Sequence, residues 1–156
     1  MSKAFQSFIA NLREHGLHYD LADPKTLRVV WESIPRDFAV FVIDTDGAEP
    51  DRPYYRLSLI VTPAYNMPSG RRNEALRLLN CLNCDRLIGS WEMDFNDGQL
   101  RYRVGFPAED ALDTRTCEYL LSLLSSELDR AMPLFLAVGE DGVSTEDACI
   151  FLAETP

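Results

Sequence analysis

Apolar residues open the chain at helical spacing. Phe5, Phe8, Ile9 and Leu12 fall at i, i+3, i+4 and i+7, which predicts a helix over about Lys3–His15, with Gly16 placed as a left-handed cap. The period then shortens. Leu27–Glu32 and Phe38–Asp44 read as strands separated by Pro35. The second has apolar residues on both faces (Phe38, Val40 and Val42 against Ala39, Phe41 and Ile43), the pattern of an interior strand covered on both sides. An acidic, Gly/Pro-containing stretch, Thr45–Pro53, predicts a long hairpin connection. A third strand follows over about Tyr54–Thr62, where Tyr55, Leu57, Leu59 and Val61 alternate with Arg56, Ser58 and Ile60. Pro63 and Pro68 bracket the exit from the sheet, and a second helix over Arg71–Cys84 aligns Leu76, Leu79 and Leu82 on one stripe.

The next segment specifies a hairpin. Asp97-Gly98 is the positive-φ pair of a two-residue type I′ turn. That turn pairs Phe95 with Leu100, Asp94 with Arg101, Met93 with Tyr102, Glu92 with Arg103 and Trp91 with Val104. Apolar pairs fall on one face and opposite charges on the other, so one face is buried and the other is open to water or a partner. The charge pairs are worth about 0–1 kcal/mol each if exposed; burial of the Trp91, Met93, Phe95, Tyr102 and Val104 face must supply most of the stability. A third helix begins near Asp113-Thr114 and carries Cys117, Leu120, Leu121, Leu124, Leu128 and Ala131 at helical spacing, with Pro133 ending it, kinking it or starting a further turn. Ser144-Thr145-Glu146-Asp147 opens a last short helix with Ala148, Ile150, Phe151 and Leu152. The order α-βββ-α-ββ-α(α) predicts one α+β domain over residues 1–156, a single antiparallel sheet of about five strands with helices packed against it.

Charge changes the picture in one respect. Residues 1–108 hold 14 acidic and 13 basic side chains, whereas residues 109–156 hold 11 acidic ones against Arg115 and Arg130. Such a segment repels phosphate backbones and anionic membranes, so no nucleic-acid or membrane partner is expected. It reads as solvated helix faces, or as attraction for a basic partner. The first residues show no apolar signal core and no apolar run reaches membrane-spanning length, so a cytoplasmic protein is expected. Its four cysteines are then read as free thiols.

Candidate chemistry is sparse. Cys81-x-x-Cys84 is the one redox-looking motif, but it lies at a helix C-terminus beside Asp85, where the dipole opposes thiolate formation. Neither it nor His15-x-x-His18 completes a zinc ligand set. Ser69-Gly70-Arg71-Arg72 could present an anion site at a helix start, without the glycine pattern of a phosphate loop. Glu92 and Asp94 have arginine partners and are poor acid catalysts. No catalytic residue, metal or cofactor is expected. Trp31, Trp91, Tyr54, Tyr55 and Tyr102 read mainly as sheet core, while Tyr54 and Ile60, if turned outward, join Glu92, Asp94, Arg101 and Arg103 as candidate partner-binding residues.

Several patches resemble the YbjN family of bacterial sensory-transduction regulators. They are Asn80-x-x-Asn83, Ile88-Gly89-Ser90-Trp91, the Asp97-Gly98 turn, Leu100-Arg101-Tyr102-Arg103 and the closing Val143–Ala148 run. The element order is similar as well, and that family's fold looks like that of type III secretion chaperones, small acidic homodimers that hold extended segments on apolar patches. The longer Thr45–Pro53 connection and the cysteines beside the asparagines depart from the family pattern. The resemblance implies a non-enzymatic, homodimeric protein that binds an unidentified polypeptide. The alternatives are a thiol–disulfide redox protein using Cys81 and Cys84, and a small-ligand sensor using the space between helices and sheet.

Overall fold

The computed structural model describes residues 1–31, 37–45, 57–84, 86–107 and 111–154. The side chains of Trp31 and Glu154 lie outside the described set, as do Tyr54, Tyr55, Arg56, Asp85 and most of the Thr45–Pro53 connection. Within it the helices are α1 (Lys3–Glu14), α2 (Arg72–Asn83, entered through a 3-10 turn at Ser69–Arg71), α3 (Thr114–Gly139) and α4 (Thr145–Glu154). The strands are β1 (Asp20–Asp23), β2 (Thr26–Trp31), β3 (Phe38–Asp44), β4 (Leu57–Pro63), β5 (Ser90–Met93) and β6 (Leu100–Phe106).

All six strands join one open antiparallel sheet, in the order β1-β2-β3-β4-β6-β5. The α+β class is therefore as the periodicity predicts, with one strand more. The extra strand, β1, has the sequence Asp-Leu-Ala-Asp and is exposed along its length; with no buried face it carries no alternation to read. Its pairing with β2 is supported by Arg28, whose Nε and Nη2 donate to Asp20 at 3.2 and 2.5 Å. Short, charged edge strands of this kind resist pairing with other chains.

One face of the sheet is core. Leu27, Val29, Val40, Val42, Leu57, Leu59, Val61, Tyr102 and Val104 are buried at two-residue intervals and pack with Phe5, Phe8 and Leu12 of α1 and the apolar stripes of α2 and α3. Trp91 sits where the layers meet, its ring 5.4 Å from that of Tyr102 and 5.1 Å from that of Phe135. On α2 the buried stripe is Ala75, Leu78, Leu79 and Leu82, so Leu76 faces outward instead of inward. β3 is not enclosed on both sides as its composition predicts: Val40, Val42 and Asp44 are buried, while Ala39, Phe41 and Ile43 are half-buried. Asp44 ends the buried row beneath the α1 N-terminus, where the Ser2 N–H donates to its carboxylate at 2.6 Å.

The helix ends follow capping chemistry. Ser2 caps α1 through the Phe5 N–H at 3.2 Å, and Asp113 caps α3 through the Thr116 N–H at 2.7 Å. α3 runs through Pro133 for 26 residues. In α4, Ala148 is buried and Leu152 half-buried, but Ile150 and Phe151 are exposed.

The hairpin corrects the predicted register. Trp91 pairs with Tyr102, Glu92 with Arg101 and Met93 with Leu100, a shift of two along β6 from the type I′ pairing. The inward and outward faces survive within the paired residues, because a two-residue shift preserves alternation, but Phe95, predicted on the buried face, leaves the strand. The turn is wider: the Asp94 N–H donates to the Gln99 carbonyl at 2.9 Å, leaving Phe95–Gly98 in the loop and Phe95 52% exposed. Arg72 explains the opening, since its Nη1 donates to both the Phe95 and Asn96 carbonyls at 2.9 Å. The Met67 N–H also donates to the Gly98 carbonyl at 2.8 Å. Gly98 keeps its predicted positive φ, +82°, and a Cβ there would strike the Met67 backbone.

Candidate functional site

The half-exposed face of the sheet collects most of the predicted partner residues. Its strand registers place Arg28 opposite Phe41, Phe41 opposite Ile60, Ile60 opposite Arg103 and Arg103 opposite Ser90, giving one continuous row across five strands. The neighbouring row holds Val30, Ala39 and Thr62, with the Arg101–Glu92 pair farther along the sheet. Val30 is 59% exposed, and with Phe38, Phe41, Ile60, Thr62 and Arg101 it lines a groove of about 560 Å³.

Ile60, Glu92, Arg101 and Arg103 thus share one surface, and Asp94 stands just beyond the end of β5. Tyr54 lies outside the described residues. The charge pairs form diagonally rather than directly across the strands. Arg103 Nε lies 2.7 Å from Glu92 Oε1, and Arg101 Nη2 lies 4.0 Å from Asp94 Oδ2 while donating to Gln99 Oε1 at 2.7 Å. The surface is therefore an apolar strip with a charge-balanced rim.

The strand edge beside this face is capped at Trp91. Asn83, at the end of α2, donates from Nδ2 to the Trp91 carbonyl at 3.0 Å and accepts the Trp91 N–H on Oδ1 at 2.9 Å. Its amide acts as a one-residue strand against β5. Next to it, the Tyr102 hydroxyl donates to the Ile88 carbonyl at 2.6 Å. Gly89, with φ +72°, lies so close that a Cβ would strike the Tyr102 hydroxyl and approach the Arg103 carbonyl. Asn83, Gly89, Trp91 and Tyr102 are thereby explained as one helix-to-hairpin joint.

The other candidates resolve into structure. Arg71 donates to the Val138 and Val143 carbonyls at 2.7 and 2.9 Å, closing the end of α3, and Arg72 holds the hairpin loop, so neither guanidinium is aimed at an anion. His15 is hydrogen-bonded to the Asn11 carbonyl and to Glu118 Oε1, both at 2.9 Å; these contacts raise its pKa above the ordinary value, the backbone bond most. No cluster of three or more metal-ligating side chains occurs among the described residues. The space between helices and sheet is filled by core side chains.

Two features escape pattern reading. Arg86 and Glu127 form an ion pair only 8% and 13% exposed, with the guanidinium over the Tyr102 ring at 5.4 Å from its centre. Burial, together with the Glu127 charge, pushes the Tyr102 phenol up. The cysteines are not all free: Cys81 is disulfide-bonded to Cys149 of α4, while Cys84 is free and exposed and Cys117 is free and buried. The helix motif is thus not the bonded pair. Burial raises the Cys117 thiol to about 11.

Among the described residues no helix is long and apolar enough to cross a membrane. The model of the YbjN family, described as "Putative bacterial sensory transduction regulator", matches residues 9–137. The match runs from within α1 to the last turn of α3 and includes the entire sheet. Comparison with curated proteins gives no match.

Proposed function

The chain belongs to the YbjN family, and on that premise we propose that it is a non-enzymatic cytoplasmic regulator, a homodimer that binds a polypeptide on the open face of its sheet. The observation that carries this reading is the apolar strip Val30–Phe41–Ile60, left partly exposed across three adjacent strands. Apolar surface of that continuity marks an interaction site more often than a solvated one. The capped β5 edge favours docking onto the face over addition of a strand there. The charge-balanced rim supports a partner segment with both apolar and charged side chains.

The test is site-specific photo-crosslinking in the native cell. A photoreactive residue at Ile60 yields a defined adduct, and the same residue at Ser125 on the exposed side of α3 does not. Equal labelling from both positions, together with saturable one-to-one binding of a metabolite in thermal-shift titrations, replaces the polypeptide reading with ligand sensing. Sedimentation equilibrium over a hundredfold concentration range tests the homodimer.

A further inference from the structure

We propose that Cys81, Cys84 and Cys149 form a thiol–disulfide exchange centre that sets whether α4 is covalently latched to α2. The disulfide joins the last turn of α2 to the middle of α4, with the two Cα atoms 6.4 Å apart. Cys84 is free, exposed and helical in backbone conformation at the C-cap of α2, and its N–H donates to the Cys81 carbonyl at 3.3 Å. Positions three apart on a helix share a face with Cβ atoms about 5–6 Å apart, so a Cys81–Cys84 bond forms as the C-terminal turn of α2 tightens to the roughly 3.5–4.5 Å that a disulfide takes. Cys81 therefore has two partners in reach, one on its own helix and one on α4.

The exchange needs no outside electrons. Cys84 gives its proton to solvent, a step that the dipole at the α2 C-terminus makes slow rather than forbids, and its thiolate attacks the Cys81 sulfur. The Cys81–Cys149 bond breaks as a Cys81–Cys84 bond forms, and Cys149 leaves as a thiolate that is reprotonated by solvent. One disulfide and one thiol are present before and after. Cys117 is excluded by its burial in α3 and the raised pKa that follows from it.

What differs between the two forms is the hold on α4. This helix has ten residues, too few to persist without tertiary support. Its first turn is anchored by Thr145, whose hydroxyl contacts the Glu74 carbonyl at 3.0 Å and carboxylate at 2.8 Å. Beyond that turn buried Ala148, half-buried Leu152 and the disulfide help to hold it, and Ile150 is exposed. Moving the bond to Cys84 frees the second half of α4 and opens the groove of about 500 Å³ that Leu76, Asn80, Cys81 and Cys149 help to line between α2 and α4. Disulfides in the cytoplasm are ordinarily transient and redox-sensing, so in the setting proposed above the bond acts as a latch. The inference stands apart from the open-face reading, since it concerns another surface.

The test uses the oxidised full chain held at pH 8 without reductant, with free thiols alkylated and mapped by mass spectrometry. Labelling of both Cys84 and Cys149 is expected in wild type, and of Cys149 in Cys84→Ser only after added reductant. Amide exchange in the second half of α4 is expected to be about tenfold faster in oxidised Cys149→Ser than in Cys84→Ser. The same loosening is expected in wild type reduced by a phosphine, a comparison that needs no substitution. Labelling of Cys84 alone after prolonged incubation overturns the exchange, and equal α4 protection before and after reduction overturns the latch.

Discussion

Asn83 gives the clearest link between one side chain and the architecture. It satisfies both backbone groups of Trp91 at a strand edge, and a hydrophobic replacement would leave them without that partner. Asn83→Ala is expected to destabilise the protein by about 1–3 kcal/mol in urea denaturation, while Asn80→Ala, at an exposed position, stays within about 0.5 kcal/mol. Arg86 sets a similar test: Arg86→Met strands Glu127 and is expected to cost about 3–5 kcal/mol, with Arg86→Met/Glu127→Leu recovering most of the loss. The asparagine pair was visible in the sequence as part of a family pattern. Its division of labour was not, because both residues are polar and only position relative to β5 separates them.

At the scale of elements, α1 and α3 are tied at the surface by His15 and Glu118. The folded-state pKa of His15 is raised, so the tie contributes fully below the unfolded value of about 6.5 and fades as pH rises through the higher folded value. The difference in urea midpoint between wild type and His15→Gln is therefore expected to shrink from pH 5.5 to pH 8.5; a difference that grows would contradict this linkage. Between α2 and α4 the covalent tie closes a separation of 68 residues. Its removal in Cys149→Ser is expected to cost about 2–4 kcal/mol, read as a lower denaturation midpoint under oxidising conditions and no difference under reducing ones. Most elements were legible because each buries one face, and burial writes a period of 3.6 or 2 into the sequence. β1 was not, since all of its residues are exposed. The hairpin register slipped by two because Asp97-Gly98 satisfies a local turn rule, while the loop is opened by Arg72 from another element.

For the whole molecule, the functional face should separate from the fold. Ile60→Asp changes a half-exposed position, so it is expected to leave the thermal midpoint within a few degrees while weakening partner capture at least about tenfold. Leu59→Asp, one residue away and fully buried, is expected to abolish folding instead. Identical behaviour of the two variants would argue against a distinct docking face.

The sequence by itself determined the α+β class, the inward and outward faces of the hairpin strands apart from Phe95, the helix starts near Asp113-Thr114 and Ser144, and the grouping of charge in the last third. All of these are set by neighbours within a few positions, where period and local hydrogen bonding act. The tertiary structure alone decided that one face of β3 stays partly open, that Ile60 meets Arg103, that Arg71 and Arg72 hold carbonyls instead of anions, and that Cys81 bonds with Cys149 rather than Cys84. Each of those joins residues distant in the chain. Such proximity follows from how layers pack, which composition and spacing do not record.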